Sequence, residues 1–294
     1  MTDHKVLLIE SPARLSIDHG RLRIVGEQGS EAFFAPVDIA VLCLHEHKIS
    51  LTSSVLRLLA ASGAVLLVTD ERHYPCALTL PYSGNMWVPQ RLHDQIRMMD
   101  TPLSKNLWSQ IVRSRLRTEA TNLRYFGLNG ALRLERLVKE VQPGDITNAE
   151  SQGAKHYWKC LFGTDFVRVK EGAQDGINAR LNYGFAVLRA LVARQLAISG
   201  LHSALGLGHR RKDNPFNLAD DFTEPFRYLV ERHIRNMGES TETLTPPIKL
   251  ELLRFIEQEV NMNGRAYRLP SAVEETVTSY CRTLEKMDGE LTLP

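Results

Sequence analysis

The hydrophobic periodicity of the chain changes once, near residue 80, and this change constrains the fold more than any other feature. Before it, residues 39–44 and 65–68 are continuous apolar runs, typical of strands buried on both faces. Residues 14–17 and 21–24 alternate on either side of a turn signal at 18–20, which predicts a hairpin. Helical spacing at 54–59 predicts a crossover helix between the two buried runs. The first 80 residues therefore predict a small β-rich domain.

Turn-forming residues cluster at 81–90, and beyond them the apolar spacing becomes helical almost to the end of the chain. Helices are predicted at residues 90–100, 103–126, 130–141, 145–162, 177–199, 217–237, 248–262 and 270–286. The predicted class is α+β. A β-rich domain at 1–80 is followed by a linker at 81–90 and a larger all-α domain at 91–294. A chain of 294 residues is long enough to bury a substantial core.

Composition excludes several classes of protein. The chain is 43% hydrophobic and 24% charged, close to the average for globular proteins, so it is neither collagen-like nor intrinsically disordered. Its four cysteines are far apart and form no C-x-x-C pair, which disfavours a disulfide framework and a tetrathiolate zinc site. We find no secretory signal pattern and no apolar run approaching the ~20 residues that span a bilayer. These features predict a soluble, cytoplasmic protein without a membrane partner.

The formal net charge of +2 conceals an uneven distribution. Residues 1–75 hold 7 Lys and Arg against 9 Asp and Glu, whereas residues 86–140 hold 10 against 5. Guanidinium groups recur on the predicted helix at 103–126, at Arg113, Arg115 and Arg117. These arginines suggest a row of positive charge that contacts the backbone phosphates of DNA. The alternative is an ordinary solvated helix face.

The segment from 201 to 227 is the richest in reactive side chains. His209 follows a Gly-x-Gly stretch and precedes three cations, Arg210, Arg211 and Lys212. Such cations are suited to bind phosphates. Downstream, Glu224 shares a helical face with Asp220 or Asp221, and two such carboxylates repel unless a cation lies between them. Mg²⁺ or Mn²⁺ would suit these oxygen ligands, and Mn²⁺ also accepts imidazole. Alternatively, the aspartates merely favour the first turn of a helix.

Glu150 is the third candidate. Its neighbours are small, and Gly153 and Ala154 would let another helix pack closely over this turn. A carboxylate at such a contact suggests function, whereas the alternative is a surface glutamate on an amphipathic helix.

Four ordered motifs connect these candidates. They are a glutamate with an aromatic at +7 (Glu150 to Tyr157), an Asn-Ala-x-Leu-Asn-Tyr-Gly helix (178–184), a Gly-x-x-His loop (206–209) and Asp-x-x-Glu-Pro-Phe-Arg (221–227). Together they resemble the integrase subunit of CRISPR adaptation, a near-universal family of CRISPR-associated, metal-dependent DNA endonucleases and integrases. The sequence of residues 216–221 is similar to that of the type II branch of this family. Small residues at Ser151 and Gly153 depart only mildly from the family pattern.

The resemblance implies that Glu150, His209 and Glu224 bind Mg²⁺ or Mn²⁺ and form the catalytic set, with Asp221 as an auxiliary acid. The implied reaction is the attack of a 3′-hydroxyl of a short foreign DNA fragment on a phosphodiester of the CRISPR repeat. Water would replace the hydroxyl in endonuclease activity. The DNA contacts expected from the charge pattern are Arg113, Arg115, Arg117, Arg210, Arg211 and Lys212.

The resemblance also implies partners. These are double-stranded DNA, a second copy paired through the β-rich domain, and a small ferredoxin-like protein that bridges two such dimers into a heterohexamer. In type II systems, a ring-forming DNA-end-binding protein and an RNA-guided effector nuclease join them. Two alternatives remain open: a stand-alone metal-dependent nuclease on branched DNA, and a non-catalytic DNA-binding scaffold.

Overall fold

The structure is a computed structural model that describes residues 5–70, 75–81, 86–170, 172–173, 176–238 and 244–294. The N-terminal elements are strands with one intervening helix: β1 (Lys5–Ile9), β2 (Ala13–Asp18), β3 (Arg21–Gly26), β4 (Glu31–Phe34), β5 (Ile39–Leu44), β6 (Ile49–Leu51), α1 (Ser53–Ser62), β7 (Val65–Thr69) and β8 (Pro75–Thr79). They form two four-stranded sheets, ordered β1-β5-β7-β8 and β4-β3-β2-β6.

The predicted hairpin and crossover helix are both confirmed. Strands β2 and β3 pair antiparallel from Ala13 opposite Gly26 to Asp18 opposite Arg21, across a two-residue turn at His19 and Gly20. Both turn residues have positive φ, as a type I′ turn requires. Strands β5 and β7 are parallel, and α1 lies in the connection between them.

Strand β5 is buried on both faces, as its continuous apolar run predicts. Leu42 and Leu44 pack in a core between the two sheets, together with α1. Val41 and Cys43, on the opposite face, belong to the main hydrophobic core, which is formed mostly by the helical part. The β-rich part is therefore packed directly against the helices.

The C-terminal part is mainly helical. Its elements are α2 (Val88–Met98), α3 (Pro102–Tyr125), α4 (Ala131–Glu140), α5 (Ala149–Phe162), α6 (Gly176–Ile198), α7 (Asn217–Thr223), α8 (Arg227–Asn236), α9 (Pro246–Leu253), β9 (Glu259–Met262), β10 (Arg265–Arg268) and α10 (Leu269–Lys286). The α+β class is therefore confirmed. Within the described ranges, no helix is both long enough and apolar enough to cross a bilayer.

Two segments differ from the prediction of an all-α C-terminal domain. The helix predicted at 248–262 ends at Leu253, and a 3₁₀ turn (Arg254–Glu257) leads into the antiparallel hairpin β9–β10. Asn263 and Gly264 form its turn with positive φ, and this Asn-Gly pair is the hairpin signal that outweighs the helical spacing. The helix predicted at 217–237 is interrupted by a 3₁₀ turn at Glu224–Phe226. The predicted linker includes residues 82–85, which lie outside the described residues, and the domain boundaries stay a prediction.

Candidate active site

Glu150 and Glu224 meet at one buried guanidinium group. Nη1 of Arg115, on α3, contacts Oε1 of Glu150 and lies 2.6 Å from Oε2 of Glu224. The side chain of Arg115 is only 4% exposed. Two carboxylates that are far apart in the sequence therefore share one nitrogen atom, and α3 supplies the cation between them.

The start of α5 holds Glu150 in place. The carboxylate of Asp145 accepts hydrogen bonds from the backbone amides of Ala149 and Glu150, at 2.9 and 3.0 Å, and so caps the helix. One turn later, a Cβ atom on Gly153 would collide with the side chain of Leu116 on α3. This confirms the predicted close helix packing over the turn that carries Glu150.

Glu224 lies where the chain turns from α7 into α8. Pro225 cannot donate a backbone hydrogen bond, and the helix narrows there into a 3₁₀ turn. The Glu224 side chain is 6% exposed, and Arg227 contacts its other oxygen at 3.3 Å. Burial alone would raise the pKa of Glu224, but the charges of Arg115, Arg227 and His209 lower it. The carboxylate is therefore kept ionised.

His209 is fixed by Asp221. Nδ1 of His209 lies 2.8 Å from Oδ1 of Asp221, whose carboxylate is fully buried. The same carboxylate accepts the backbone amides of Leu207, Gly208 and His209 at 2.5, 3.2 and 2.9 Å. The ring of Trp108 packs edge-on against the imidazole, with 5.6 Å between centroids. With Nδ1 held by Asp221, Nε2 is the nitrogen that remains to ligate.

The charge around His209 favours its protonated form. Burial alone would lower the pKa of the imidazole, but the hydrogen bond and charge of Asp221, with Glu224 and Asp220 nearby, raise the pKa to about 9. A metal ion that binds this imidazole must therefore displace a proton near neutral pH.

Asp220 and Asp221 do not provide the second carboxylate beside Glu224 that the helical spacing suggests. Asp220 accepts a hydrogen bond from Arg189 at 2.6 Å and another from Asn214. Asp221 faces the His209 loop. Glu150 is instead the carboxylate that shares a cation with Glu224.

A further pair of buried carboxylates surrounds the same cations. Nε of Arg115 donates to Glu119 at 2.9 Å, and Nε of Arg227 lies 3.7 Å from Glu231. Burial raises the pKa of Glu119 to about 7 against the opposing charge of Arg115. Burial likewise raises the pKa of Glu231. Among the described residues, four carboxylates thus contact two guanidinium groups, which leaves an excess of two negative charges if all are ionised.

The chemistry of this site suits a divalent cation, although its present arrangement does not form a metal cage. Carboxylate oxygens with one imidazole are a donor set for Mg²⁺ or Mn²⁺. Oε2 of Glu224 is buried, and its contact with the guanidinium of Arg115 is an ion pair without hydrogen-bond geometry. In the part of the chain that the structure describes, no three His, Cys, Asp or Glu side chains are grouped to hold a metal ion. The guanidinium of Arg115 lies between the two glutamates instead.

Comparison with known proteins decides the family. The family model described as CRISPR associated protein Cas1 matches residues 6–244. The chain belongs to the Cas1 family. A relative from Neisseria meningitidis, named CRISPR-associated endonuclease Cas1, is 36% identical over 98% of this chain and 95% of its own length. A second, from Pyrobaculum aerophilum, has the same family name and is 27% identical over 89% of this chain and 93% of its own length.

Solved structures share the fold of this Cas1-family chain. A casposase bound to its integration product matches with a TM-score of 0.82 and 19% identity, over 98% of this chain and 92% of that one. A CAS1 protein from Thermotoga maritima matches with a TM-score of 0.79 and 15% identity, over 99% of both chains. A Cas6-RT-Cas1–Cas2 complex matches with a TM-score of 0.78 and 15% identity, over 98% of this chain and 36% of that one.

The arginines predicted to contact DNA lie in different environments. Arg115 is buried among carboxylates, which corrects its assignment as a DNA contact. Arg113 is half-buried, and its Nη2 donates to the carbonyl of Val141 at 2.6 Å. Arg117 is exposed on the same helix. The other three predicted contacts, Arg210, Arg211 and Lys212, are also exposed. At the surface, Arg210 pairs with Asp100 and Arg211 pairs with Asp213.

Sequence reasoning missed the residues that support this Cas1 site. Glu119 and Glu231 lie one helical turn after Arg115 and Arg227, and this i,i+4 spacing was a usable signal for ion pairs. No comparable sequence pattern indicates that Asp145 supports the amide of Glu150 or that Trp108 packs against His209. Both roles depend on how the chain folds around these residues.

Proposed function

We propose that this protein is a metal-dependent DNA integrase and endonuclease that inserts short foreign DNA fragments into a CRISPR array. The observation that carries the proposal is the convergence of Glu150 and Glu224 on one cation beside His209. Three segments that the sequence resemblance singled out separately lie together in the fold. Membership of the Cas1 family supports the reaction class.

Glu150, His209 and Glu224 would hold a Mg²⁺ or Mn²⁺ ion. Bound there, such an ion supplies positive charge against the charge that develops on a phosphodiester under attack. The side chains of Glu150 and His209 are 26% and 34% exposed, whereas that of Glu224 is buried. A substrate phosphate would therefore approach from the face of Glu150 and His209.

The reaction is a transesterification. The 3′-hydroxyl of the fragment loses its proton and forms a bond to a phosphorus of the repeat, the bond from that phosphorus to the repeat's own 3′-oxygen breaks, and the departing oxygen takes up one proton in return. One ester replaces another, so no cofactor is consumed. With water as the nucleophile, the same chemistry gives endonuclease activity.

Exposed cations next to the site are the proposed DNA contacts. Arg210, Arg211 and Lys212 directly follow His209, and Arg117 lies on α3. The ion pairs of Arg210 and Arg211 are at the surface, where water and salt screen such pairs and make them weak. Phosphates can therefore replace the acids as partners, with binding that weakens as salt increases.

The proposed partners follow from related assemblies. A structure with the same fold is a Cas6-RT-Cas1–Cas2 complex, and another is a Cas1–DNA complex, which supports a Cas2-type partner and DNA here. A second copy would pair through the β-rich part, where Phe33 and Val37 are exposed apolar side chains. The similarity to the Neisseria meningitidis relative supports a type II setting, with a DNA-end-binding ring protein and an effector nuclease.

An integration assay tests the proposal. Wild-type protein, with a Cas2-type partner and Mg²⁺ or Mn²⁺, should join a labelled duplex to a supercoiled plasmid that carries the repeat. Glu150→Ala, His209→Ala and Glu224→Ala should abolish joining, whereas Arg117→Ala should retain the chemistry and weaken only DNA binding. Full joining by all three site variants would overturn the assignment, and cleavage of branched DNA without joining would favour a stand-alone nuclease.

A further inference from the structure

Arg115 has an unusual position for a cation in a proposed metal site. Its guanidinium is held from two sides: Nε donates to Glu119, and Nη1 contacts both Glu150 and Glu224. An arginine in a protein cannot release its proton, so the group stays positive in this buried place. Such burial is tolerated only where carboxylates surround the charge.

Arg115 and a divalent ion would need the same place. Both must lie between the oxygens of Glu150 and Glu224, and the described residues leave no metal cage while the guanidinium is there. Without any cation, the two carboxylates would repel each other and separate. Arg115 therefore keeps the glutamates together and at the same time blocks the position between them.

We propose that Arg115 is the internal cation of the metal-free protein, which positions Glu150 and Glu224 and leaves them when a divalent ion binds. This inference rests on the metal site of the proposed function and extends it. Arg115 is thus a positioning residue: it touches the proposed ligands and acts on metal binding through them.

The structure also provides a place for the displaced guanidinium. The planar guanidinium of Arg115 moves as a unit, and rotation about its methylene bonds would carry it away from Glu150 and Glu224 on the side of Glu119, which already accepts from Nε. Glu231 is close enough to interact electrostatically with Arg115, and its fully buried carboxylate already lies 3.7 Å from Nε of Arg227 and beside the hydroxyl of Tyr157. Glu231 therefore supplies negative charge that stabilises the guanidinium of Arg115 when it leaves Glu150 and Glu224.

Calorimetric titration of the purified full chain with Mn²⁺ alone tests this exchange. Arg115→Met keeps a long side chain without charge, and it should bind Mn²⁺ at least about tenfold more tightly than wild type, because no cation competes. The same variant should have a lower Tm without metal and a larger Tm increase with Mn²⁺. Arg124→Met, at an exposed position of the same helix, should match wild type in Mn²⁺ affinity and in the Tm increase with Mn²⁺.

Two further variants make the outcome decisive. Arg115→Lys keeps a charge but has no second nitrogen for Glu119, and it should bind Mn²⁺ with an affinity between wild type and Arg115→Met. Glu231→Gln removes the negative charge that would stabilise the displaced guanidinium, and it should bind Mn²⁺ more weakly than wild type. If Arg115→Met fails to fold, these two variants decide the question.

The failures of the two proposals can be told apart. Wild-type Mn²⁺ affinity in Arg115→Met or, if that variant does not fold, in Arg115→Lys would show that Arg115 is merely structural and would overturn the exchange. Absence of Mn²⁺ binding by wild type, or binding that Glu150→Gln leaves unchanged, would overturn the metal site itself and the exchange with it.

Discussion

Nδ1 of His209 lies 2.8 Å from Oδ1 of Asp221, and this buried carboxylate also accepts the backbone amides of Leu207, Gly208 and His209. One side chain on α7 therefore fixes both the path of the loop and the orientation of the imidazole. Groups that orient a metal-ligating histidine in this way tune the site without touching the metal.

Asp221→Asn should lower metal affinity or joining activity by about 10- to 100-fold, because an amide accepts fewer hydrogen bonds and cannot hold Nδ1–H of the imidazole as well. Mn²⁺ titration and the integration assay measure the two effects. Asp220→Asn is the matched control, since the carboxylate of Asp220 pairs with Arg189 and Asn214 rather than with the imidazole of His209. Equal losses in both variants would argue that Asp221 has no special role.

Metal binding should strengthen as pH rises. The pKa of His209 is raised to about 9, so below that pH a proton occupies the imidazole and competes with the metal. We expect Mn²⁺ affinity, measured by calorimetry from pH 6.5 to 8.5, to increase continuously. His209→Ala should be weaker throughout and should lose most of this dependence. An affinity in wild type that stays flat over this range would contradict the assignment of His209 as a ligand.

Gly208→Ala should destabilise the protein by about 1–3 kcal/mol and displace His209. A Cβ atom at this position would collide with the indole ring of Trp108, which is buried and rigid. Urea unfolding and Mn²⁺ affinity report the two effects. Trp108→Phe in the same chain has a smaller ring and should restore part of both losses, whereas no rescue would mean that the collision is not the cause.

Asp145→Ala should reduce the free energy of unfolding by about 0.5–2 kcal/mol, the usual value when a side chain that accepts hydrogen bonds from the first amides of a helix is lost. It should also impair joining, because the lost hydrogen bonds include the amide of Glu150 itself. Asp165→Ala, at an exposed position after the end of α5, is the control and should leave both quantities unchanged. An Asp145→Ala protein with wild-type stability and activity would contradict the capping role.

Local patterns predicted much of the fold. The His19–Gly20 turn, the doubly buried run of β5 and the crossover helix are each encoded within a few neighbouring residues, and the structure contains all three. The hairpin β9–β10 was missed because the apolar spacing at 248–262 is also compatible with a helix. The Asn263-Gly264 pair, which forms its turn, was the sequence feature that indicated a hairpin, whereas the apolar periodicity did not.

The candidate site was predicted less completely. Motif order singled out Glu150, His209 and Glu224, and Gly153 indicated close packing beside Glu150. No local pattern distinguishes a buried arginine from an exposed one on α3, so the charge pattern alone groups Arg115 with Arg113 and Arg117 on a DNA-binding face. Burial of Arg115 depends on carboxylates from α5 and from the α7–α8 junction, and such long-range contacts leave no local pattern.

The most direct test of the account is a crystal structure of the protein soaked with Mn²⁺, with anomalous scattering recorded at the manganese edge. We predict an anomalous peak between the carboxylates of Glu150 and Glu224 within coordination distance of Nε2 of His209, with the guanidinium of Arg115 moved away from both glutamates. A structure in which Arg115 still bridges Glu150 and Glu224 and no peak lies beside them would contradict the proposed metal site.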